Sequence, residues 1–351
     1  MTPFKIAGRQ IGDGHAPYII AELSGNHNGE LDRALALVDA AADAGADAVK
    51  LQTYTADTIT IDVDRPEFRI QGGLWDGRSL YELYREASTP WEWHEALFAR
   101  AKARGLQAFS SPFDPTAVAF LEKLGAPAYK VASFEIVDTP LIRLVGAQRK
   151  PVIISTGVAS LGEIEDALRA AREGGASGVA LLHCISAYPA AVEDMRLGTI
   201  ATLAAAFGVP VGLSDHSPGS TVAVAAVALG ACIIEKHLTL ARADGGPDAA
   251  FSLEPDEFRT LVQDCRTAHL ALGAPRHDRA GIGGENALFR RSLYVVADIA
   301  AGDVLSDLNV RSIRPGLGLP PRHLPEVLGR TATRALRRGE PLDFTMVGPK
   351  R

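Results

Sequence analysis

Histidine and acidic side chains follow short apolar runs in the second half of this chain. His216 follows one run, and Glu235 and His237 end the next. If the two runs are neighbouring strands, both imidazoles can reach one ion. Two histidines with open coordination positions suit a catalytic divalent metal. Histidines taken alone more often have a structural role, so this interpretation depends on what the other runs carry.

Lysines and small hydroxyl side chains occupy equivalent positions on the other runs. Lys50 and Lys130 end two of them, and Glu22 ends the first. Serines end or follow several more: Ser111, Ser133, Ser155, Ser186 and Ser214. Ammonium and hydroxyl donors together bind phosphate or carboxylate groups. A single lysine at a strand end is usually a solvated charge, but this combination predicts an anion site beside the histidines.

The runs that carry these residues alternate with amphipathic stretches up to about residue 272. Eight runs are strand candidates, and most are apolar throughout, as in strands covered on both faces. They are residues 18–21, 48–51, 107–109, 128–131, 152–154, 179–182, 209–213 and 232–235. Helical spacing is clearest over 31–44, 90–104, 161–173, 222–229 and 255–272. Thr89 is expected to cap the second of these helices, with Pro90 in its first position.

Eight strand–helix units in about 250 residues predict an α/β fold of the (β/α)8 TIM-barrel type. A doubly wound open sheet is the competing architecture. In a TIM barrel the active site lies at the C-terminal ends of the strands. The candidate residues described above stand at those ends.

The pattern changes after the barrel region. We predict a catalytic barrel over 1–272, a linker over 273–288 and a small β-rich domain over 289–351. The last segment holds 11 Lys and Arg against 6 Asp and Glu, whereas residues 1–288 hold 25 against 36. Two domains with different surfaces explain this asymmetry. A basic tail that docks on the acidic body, or helps to bind an anionic substrate, explains it as well.

Composition excludes several classes of protein. Of 351 residues, 47% are hydrophobic and 22% charged, which excludes a disordered chain. A net charge of −6 argues against nucleic-acid binding. Three widely spaced cysteines exclude a disulfide framework and a CxxC-type zinc site. No apolar run approaches the roughly 18 residues of a membrane helix, and no secretory signal is recognised. We therefore expect no membrane partner and a cytoplasmic setting.

Several strand-end motifs together resemble the sialic acid synthase family. They are Ile20-Ala21-Glu22-Leu23-Ser24-Gly25-Asn26-His27-Asn28-Gly29, Gly45-Ala46-Asp47-Ala48-Val49-Lys50-Leu51-Gln52-Thr53, Ser155-Thr156-Gly157, Gly212-Leu213-Ser214-Asp215-His216 and Ile234-Glu235-Lys236-His237. Phe289-Arg290-Arg291-Ser292-Leu293-Tyr294 and Arg311-Ser312-Ile313-Arg314-Pro315-Gly316 look like the antifreeze-like (SAF) domain of that family. Residues 74–84 and 89–94 are similar to its pseudaminic acid synthase branch. Residues 182–189 and 193–198 lean towards the N-acetylneuraminate synthases.

The resemblance implies an enzyme that condenses phosphoenolpyruvate (PEP) with an open-chain N-acetylated amino sugar. C3 of PEP attacks the aldehyde carbon, water adds at C2, and phosphate leaves by C–O cleavage. A divalent metal on His216 and His237 would polarise the aldehyde oxygen. Mn²⁺ is expected there, with Mg²⁺ and Co²⁺ left open.

The same resemblance distributes the other roles over the strand ends. PEP would be held by Lys50, Ser111, Lys130, Ser133, Ser155, Ser186 and Ser214. Glu22 would activate the attacking water or stabilise the cation that develops at C2. Glu235 would be a second acid or base, or would orient a metal ligand.

Five further residues are expected to contact the sugar. Gln52, Tyr188 and Asp248 are candidates for its hydroxyl and amide groups. Arg314 matches the family arginine that contacts the acyl group of the sugar from the partner chain of a domain-swapped homodimer. Phe289 is expected to line the mouth of the barrel, which is the open end formed by the C-terminal ends of the strands. The branch similarity favours 2,4-diacetamido-2,4,6-trideoxy-L-altrose as the sugar and pseudaminic acid as the product, with legionaminic and N-acetylneuraminic acid synthesis left open.

Two other classes of protein remain as alternatives at this point. A metal-dependent barrel aldolase would use Lys130 to form a Schiff base, although the surrounding serines favour an anion. A non-enzymatic carbohydrate- or ice-binding module is suggested by the likeness of the tail to ice-binding proteins. The full set of polar residues at the barrel mouth argues against that module.

Overall fold

The computed structural model describes residues 3–273 and 285–350, which belong to two units, 1–273 and 274–351. The first unit opens with an antiparallel hairpin of β1 (Phe4–Ile6) and β2 (Arg9–Ile11). Eight parallel strands then close into a barrel, with the last strand paired to the first. They are β3 (Tyr18–Glu22), β4 (Ala48–Thr53), β5 (Gln107–Pro112), β6 (Tyr129–Val131), β7 (Val152–Ser155), β8 (Val179–Cys184), β9 (Val211–Asp215) and β10 (Ile233–His237). Each predicted apolar run overlaps one of these strands, so the predicted α/β barrel is confirmed.

Helices surround the barrel. They are α1 (Leu31–Ala44), α2 (Ala56–Ile59), α3 (Leu80–Ala87), α4 (His94–Ala103), α5 (Pro115–Lys123), α6 (Thr139–Gly146), α7 (Leu161–Gly174), α8 (Thr199–Phe207), α9 (Thr221–Ala228) and α10 (Pro255–Leu272). Their buried faces share one apolar core with the strands. Sequence periodicity identified α1, α7, α9 and α10. It missed α2, α3, α5, α6 and α8, which are four to nine residues long.

The helix expected over 90–104 begins later than predicted. Pro90 is extended, with ψ at 132°, and Trp91–Trp93 form a single 3-10 turn before α4 begins at His94. The imidazole of His94 holds this turn, because its Nδ1 bonds to the Pro90 carbonyl at 3.2 Å and its Nε2 to Thr53 Oγ1 at 2.8 Å. The expected cap at Thr89 was therefore wrong.

The hairpin of β1 and β2 covers the N-terminal end of the barrel. Phe4, Ile6 and Ile11 are buried in one apolar cluster with Tyr18 and Ile20 of β3. Removing this surface from water stabilises the closed end of the barrel. The polar strand ends lie at the opposite end.

The second unit is small and rich in β structure, as predicted. β11 (Ser292–Val295) pairs with β12 (Val310–Ile313), and β13 (Arg330–Ala332) pairs with β14 (Val347–Lys350). The short helix α11 (Leu324–Val327) lies between the two pairs in sequence. The unit has its own buried apolar cluster, formed by Leu293, Val295, Ile299, Leu305, Val310, Val327, Ala332, Leu336, Leu342 and Met346.

Most of the predicted linker, 273–288, lies outside the described residues, so its outer boundaries stay predictions. None of the helices in 3–273 and 285–350 combines the length and apolarity that crossing a bilayer requires.

Candidate active site

Four buried charges meet at the C-terminal ends of the barrel strands. Glu22 ends β3, Lys50 lies within β4, Lys130 lies in β6 and Glu235 lies in β10. Lys50 Nζ is 2.8 Å from Glu22 Oε2 and 3.5 Å from Glu235 Oε1. Lys130 Nζ is 3.8 Å from the same Glu235 oxygen. All four side chains are at most 5% exposed, and charges persist at such depth only when they are paired.

The two carboxyl groups differ in their affinity for a proton. Burial raises the pKa of Glu22, although the ammonium of Lys50 opposes this. Burial also acts to raise the pKa of Glu235, but Lys130 and Lys50 together lower it overall. Glu22 is therefore the carboxyl suited to take and release a proton, whereas Glu235 stays ionised between the lysines.

Hydroxyl groups surround the two lysines. Lys130 Nζ donates to Ser155 Oγ at 2.7 Å, and Lys50 Nζ donates to Ser111 Oγ at 3.5 Å. Ser214 Oγ donates to Glu235 Oε1 at 3.2 Å. The structure thus brings these three predicted serines to the lysines and Glu235. Buried ammonium and hydroxyl donors of this kind form a site for a small polyanion.

The other two predicted serines, Ser133 and Ser186, meet at the backbone of Gly157. The Gly157 amide donates to Ser133 Oγ at 3.2 Å. A Cβ atom on Gly157 would lie 2.3 Å from Ser186 Oγ and 2.9 Å from Ser133 Oγ. The glycine therefore allows both hydroxyl groups to lie close to the backbone at this position.

The predicted metal ligands face each other. The ring centroids of His216 and His237 are 5.4 Å apart. His216 Nδ1 lies 3.0 Å from the Ile185 carbonyl, to which it donates, so Nε2 is the ring nitrogen left to bind a metal. Histidines that bind metals usually donate their other nitrogen in this way.

The second ring also has a free lone pair. Burial lowers the pKa of His237 well below its usual range, with His216 contributing, so the imidazole is neutral. Its Nδ1 is buried and has no hydrogen-bond partner in the described part of the chain. Within those residues no group of three or more His, Cys, Asp or Glu side chains could hold a metal. Two facing imidazoles, of which His237 is neutral, fit a divalent metal that keeps positions open for water or substrate.

Three predicted sugar ligands lie at the same end of the barrel as this pair. Gln52 Nε2 donates to Glu22 Oε1 at 2.9 Å, and Asp248 is buried in the loop after β10. The Tyr188 ring lies 4.4 Å from the ring of His216. The structure therefore brings these three residues to the barrel mouth. Phe289 and Arg314 belong to the second unit, where both are exposed, and their roles stay predictions.

Sequence reasoning missed four residues of the mouth. Glu135 follows Ser133 in a 3-10 turn, and burial raises the pKa of its carboxyl to about 7. Trp75 and Phe251 extend the aromatic surface at Tyr188, with ring centroids 5.6 and 5.2 Å from it. Ser24 contacts both Gln52 and Asp248. Ser24 and Trp75 lie in segments quoted for the family resemblance, which was the available signal.

Comparison with known proteins identifies the family of this chain. The model of the NeuB family matches residues 37–277, and the SAF domain model matches residues 290–348. The chain belongs to the NeuB family. Its predicted resemblance to the sialic acid synthases, with an SAF domain at the C-terminal side, is confirmed.

Relatives separate the branches of the NeuB family. A Campylobacter jejuni protein named pseudaminic acid synthase is 46% identical over 325 residues, covering 93% of this chain and 95% of that protein. The N,N'-diacetyllegionaminic acid synthase of the same organism is 36% identical over 330 residues, covering 92% and 97%. The predicted similarity to the pseudaminic acid synthase branch is confirmed.

A solved structure of the family has the same fold. The N-acetylneuraminic acid synthetase of Leptospira borgpetersenii, in complex with citrate, superposes with a TM-score of 0.73 at 32% identity. The match covers 81% of this chain and 95% of that one. A NeuB-family chain that is 46% identical to a pseudaminic acid synthase is an enzyme, which disfavours a non-enzymatic binding module.

Proposed function

We propose that this chain is a pseudaminic acid synthase. It condenses PEP with open-chain 2,4-diacetamido-2,4,6-trideoxy-L-altrose to give pseudaminic acid and phosphate. The observation that carries this proposal is the buried pairing of Lys50 and Lys130 with Glu22 and Glu235, at the same end of the barrel as two facing imidazoles. The branch similarity supports the choice of sugar.

In this mechanism the lysines and serines orient PEP. Lys130 and Ser155 bind one anionic group, and Lys50 with Ser111 binds the other, so that C3 of PEP is held facing the aldehyde carbon. Fixing two reactants in this way removes much of the entropic barrier to bond formation. Glu235 holds both ammonium groups in place.

His216 and His237 would hold a divalent ion, which we propose to be Mn²⁺. Such an ion supplies Lewis-acid polarisation of the aldehyde oxygen when it is bound. Both rings are positioned by the polypeptide: His216 by the Ile185 carbonyl, and His237 by its packing against Phe251, with centroids 4.9 Å apart.

Glu22 would act as the general base for the water that adds at C2. As C3 bonds to the aldehyde carbon, positive charge develops at C2 of PEP. Glu22 takes a proton from the water that adds there, and the alkoxide formed from the aldehyde takes up a proton to become a hydroxyl group. Phosphate then leaves with the C–O bond electrons, while the new hydroxyl at C2 loses its proton to give the ketone. A carboxyl whose pKa is raised by burial is suited to this exchange.

The first test is phosphate release by the purified chain with PEP and Mn²⁺. Three sugars are compared: the diacetamido-trideoxy-altrose, its legionaminic-type counterpart and N-acetylmannosamine, each with and without EDTA. Release with the first sugar alone, lost in EDTA, is expected. Phosphate release with another sugar alone would indicate that the chain belongs to another branch of the family. No release with any sugar would overturn the proposal.

We also propose that Arg314 and Phe289 act on the sugar from the partner chain of a swapped homodimer. Arg314→Ala and His216→Ala chains are each expected to be inactive. Co-expressed, they should recover about a quarter of wild-type activity, because half the dimers are mixed and each mixed dimer holds one complete site. No recovery would indicate that Arg314 acts within its own chain or not at all.

We place this reaction in the cytoplasm. Cys184, Cys232 and Cys265 are all free and buried. Unpaired thiols are usual in a reducing compartment.

Gly157→Ala is expected to raise the KM for PEP at least about tenfold without unfolding the chain. The added methyl group would collide with Ser186 and Ser133 and displace both hydroxyl groups, which we propose to bind PEP. Initial rates at varied PEP measure the effect. Gly162→Ala is the matched control, since a Cβ there meets nothing within 4 Å. Equal PEP KM values for the two variants would contradict this role of Gly157.

The KM for PEP is expected to rise through pH 7 because of Glu135. Burial raises the pKa of this carboxyl to about 7, so it is neutral below that pH and negative above it. A negative charge near Lys130 and Lys50 opposes binding of an anion by about tenfold. Glu135→Gln stays neutral and should lack this rise. Glu165 is exposed on α7, so Glu165→Gln should keep the rise in the KM for PEP. The ionisation of PEP itself affects both variants equally. Identical profiles for both variants would exclude Glu135 from the anion site.

A further inference from the structure

Ser24 has a backbone conformation that serine rarely adopts. It lies just after β3 with φ at +45°, in the left-handed region that favours glycine. A glycine is the next residue, yet the positive φ falls on the serine. Unusual conformations of this kind are often kept where a side chain has a function.

The hydroxyl of Ser24 joins two residues that are distant in sequence. It accepts a hydrogen bond from Gln52 Nε2 at 3.0 Å, and it donates to Asp248 Oδ2. The backbone amide of Gly25 supports the same carboxylate oxygen at 3.4 Å. Ser24 is 5% exposed, so these contacts are shielded from competing water.

This arrangement fixes which way Gln52 and Asp248 point. Gln52 Nε2 is shared between Glu22 Oε1 and Ser24 Oγ, so its carbonyl oxygen is turned away from both. Asp248 Oδ2 is held by Ser24 and Gly25, which leaves Oδ1 as an acceptor. Two acceptor oxygens, one on β4 and one on the loop after β10, are thus fixed at the barrel mouth.

We propose that Ser24 is a positioning residue that orients Gln52 and Asp248 as a pair of acceptors for the N–H and O–H donors of the sugar. The inference rests on the proposed function for the identity of that sugar. A diacetamido sugar carries two amide N–H groups besides its hydroxyls, so it matches a site rich in acceptors. Ser24 itself acts through the two residues it holds.

The test compares Ser24→Gly and Ser24→Ala with the wild-type chain. Both variants remove the hydroxyl, and the glycine variant also relieves the backbone strain of the positive φ. We expect the KM for the sugar to rise about tenfold in both, while the KM for PEP stays within about twofold. The melting temperature of Ser24→Gly should not fall. Ala7→Gly is the matched control, because Ala7 has φ at +46° in the exposed hairpin turn and is remote from the site.

Two results would overturn the inference. One is an unchanged KM for the sugar in both variants. The other is a parallel rise of both KM values with a loss of melting temperature, which indicates a purely structural role. Crystal structures of the wild type and Ser24→Ala test positioning without any substrate. In the variant, Asp248 Oδ2 should move away from the Gly25 amide, and unmoved Gln52 and Asp248 side chains would contradict the inference. An inactive wild type would instead count against the proposed function.

Discussion

His216→Ala is expected to lower the rate of phosphate release about a thousandfold. The change removes one of the two facing imidazoles that we propose as metal ligands, and Lewis-acid polarisation contributes several kcal/mol to such reactions. The His216 ring is buried against Tyr188 and bonded to the Ile185 carbonyl, so alanine also leaves a small cavity. Melting temperature must therefore be measured beside activity.

Metal binding gives a second readout for this variant. Titration with Mn²⁺, followed by electron paramagnetic resonance, should show a site in the wild type that is lost or much weakened in His216→Ala. His15→Ala is the control, since His15 is exposed near the N-terminal hairpin and should leave both readouts unchanged. A folded His216→Ala chain that binds Mn²⁺ normally would remove this histidine from the metal site.

The barrel and most of its polar mouth were predictable because strand ends are local features. A short apolar run that ends in Lys130 or Glu235 places that residue at the barrel mouth whatever its neighbours are. Spacing alone does not determine which oxygen each ammonium meets. The 2.8 Å contact of Lys50 with Glu22 therefore emerged only from the closed barrel.

The residues that were missed depend on contacts distant in sequence. Ser24 bonds to Asp248, 224 residues away, and Trp75 Nε1 donates to the Pro247 carbonyl at 2.9 Å, 172 residues away. Glu135 lies in a 3-10 turn without a period, and its raised pKa comes from burial by the surrounding chain. A sequence gives the residue type in such cases but not the environment that gives it a role.

Lys130→Met is expected to lower kcat/KM for PEP about a thousandfold. Lys130 is 2% exposed and donates to Ser155 Oγ at 2.7 Å, so its charge is aimed into the anion site with little screening. Truncating one member of a buried, hydrogen-bonded charge pair typically costs about 2–5 kcal/mol. Methionine keeps the length and apolar stem of lysine, so packing is preserved. The loss should appear in the KM for PEP and in kcat, with the KM for the sugar little changed.

Glu235 explains why the effect exceeds the loss of one hydrogen bond. Its Oε1 lies 3.8 Å from Lys130 and 3.5 Å from Lys50, so removing Lys130 leaves one ammonium to balance two buried carboxyl groups. PEP would then enter a site that is negative rather than neutral, and binding an anion there is opposed. Lys130→Arg keeps the charge and should retain part of the activity. Lys150→Met is the outer control, because Lys150 pairs with Glu122 outside the mouth. If the kcat/KM of Lys130→Met for PEP stays within about tenfold of wild type, Lys50 and the serines bind PEP without Lys130. If only the KM for the sugar rises, Lys130 contacts the sugar rather than PEP.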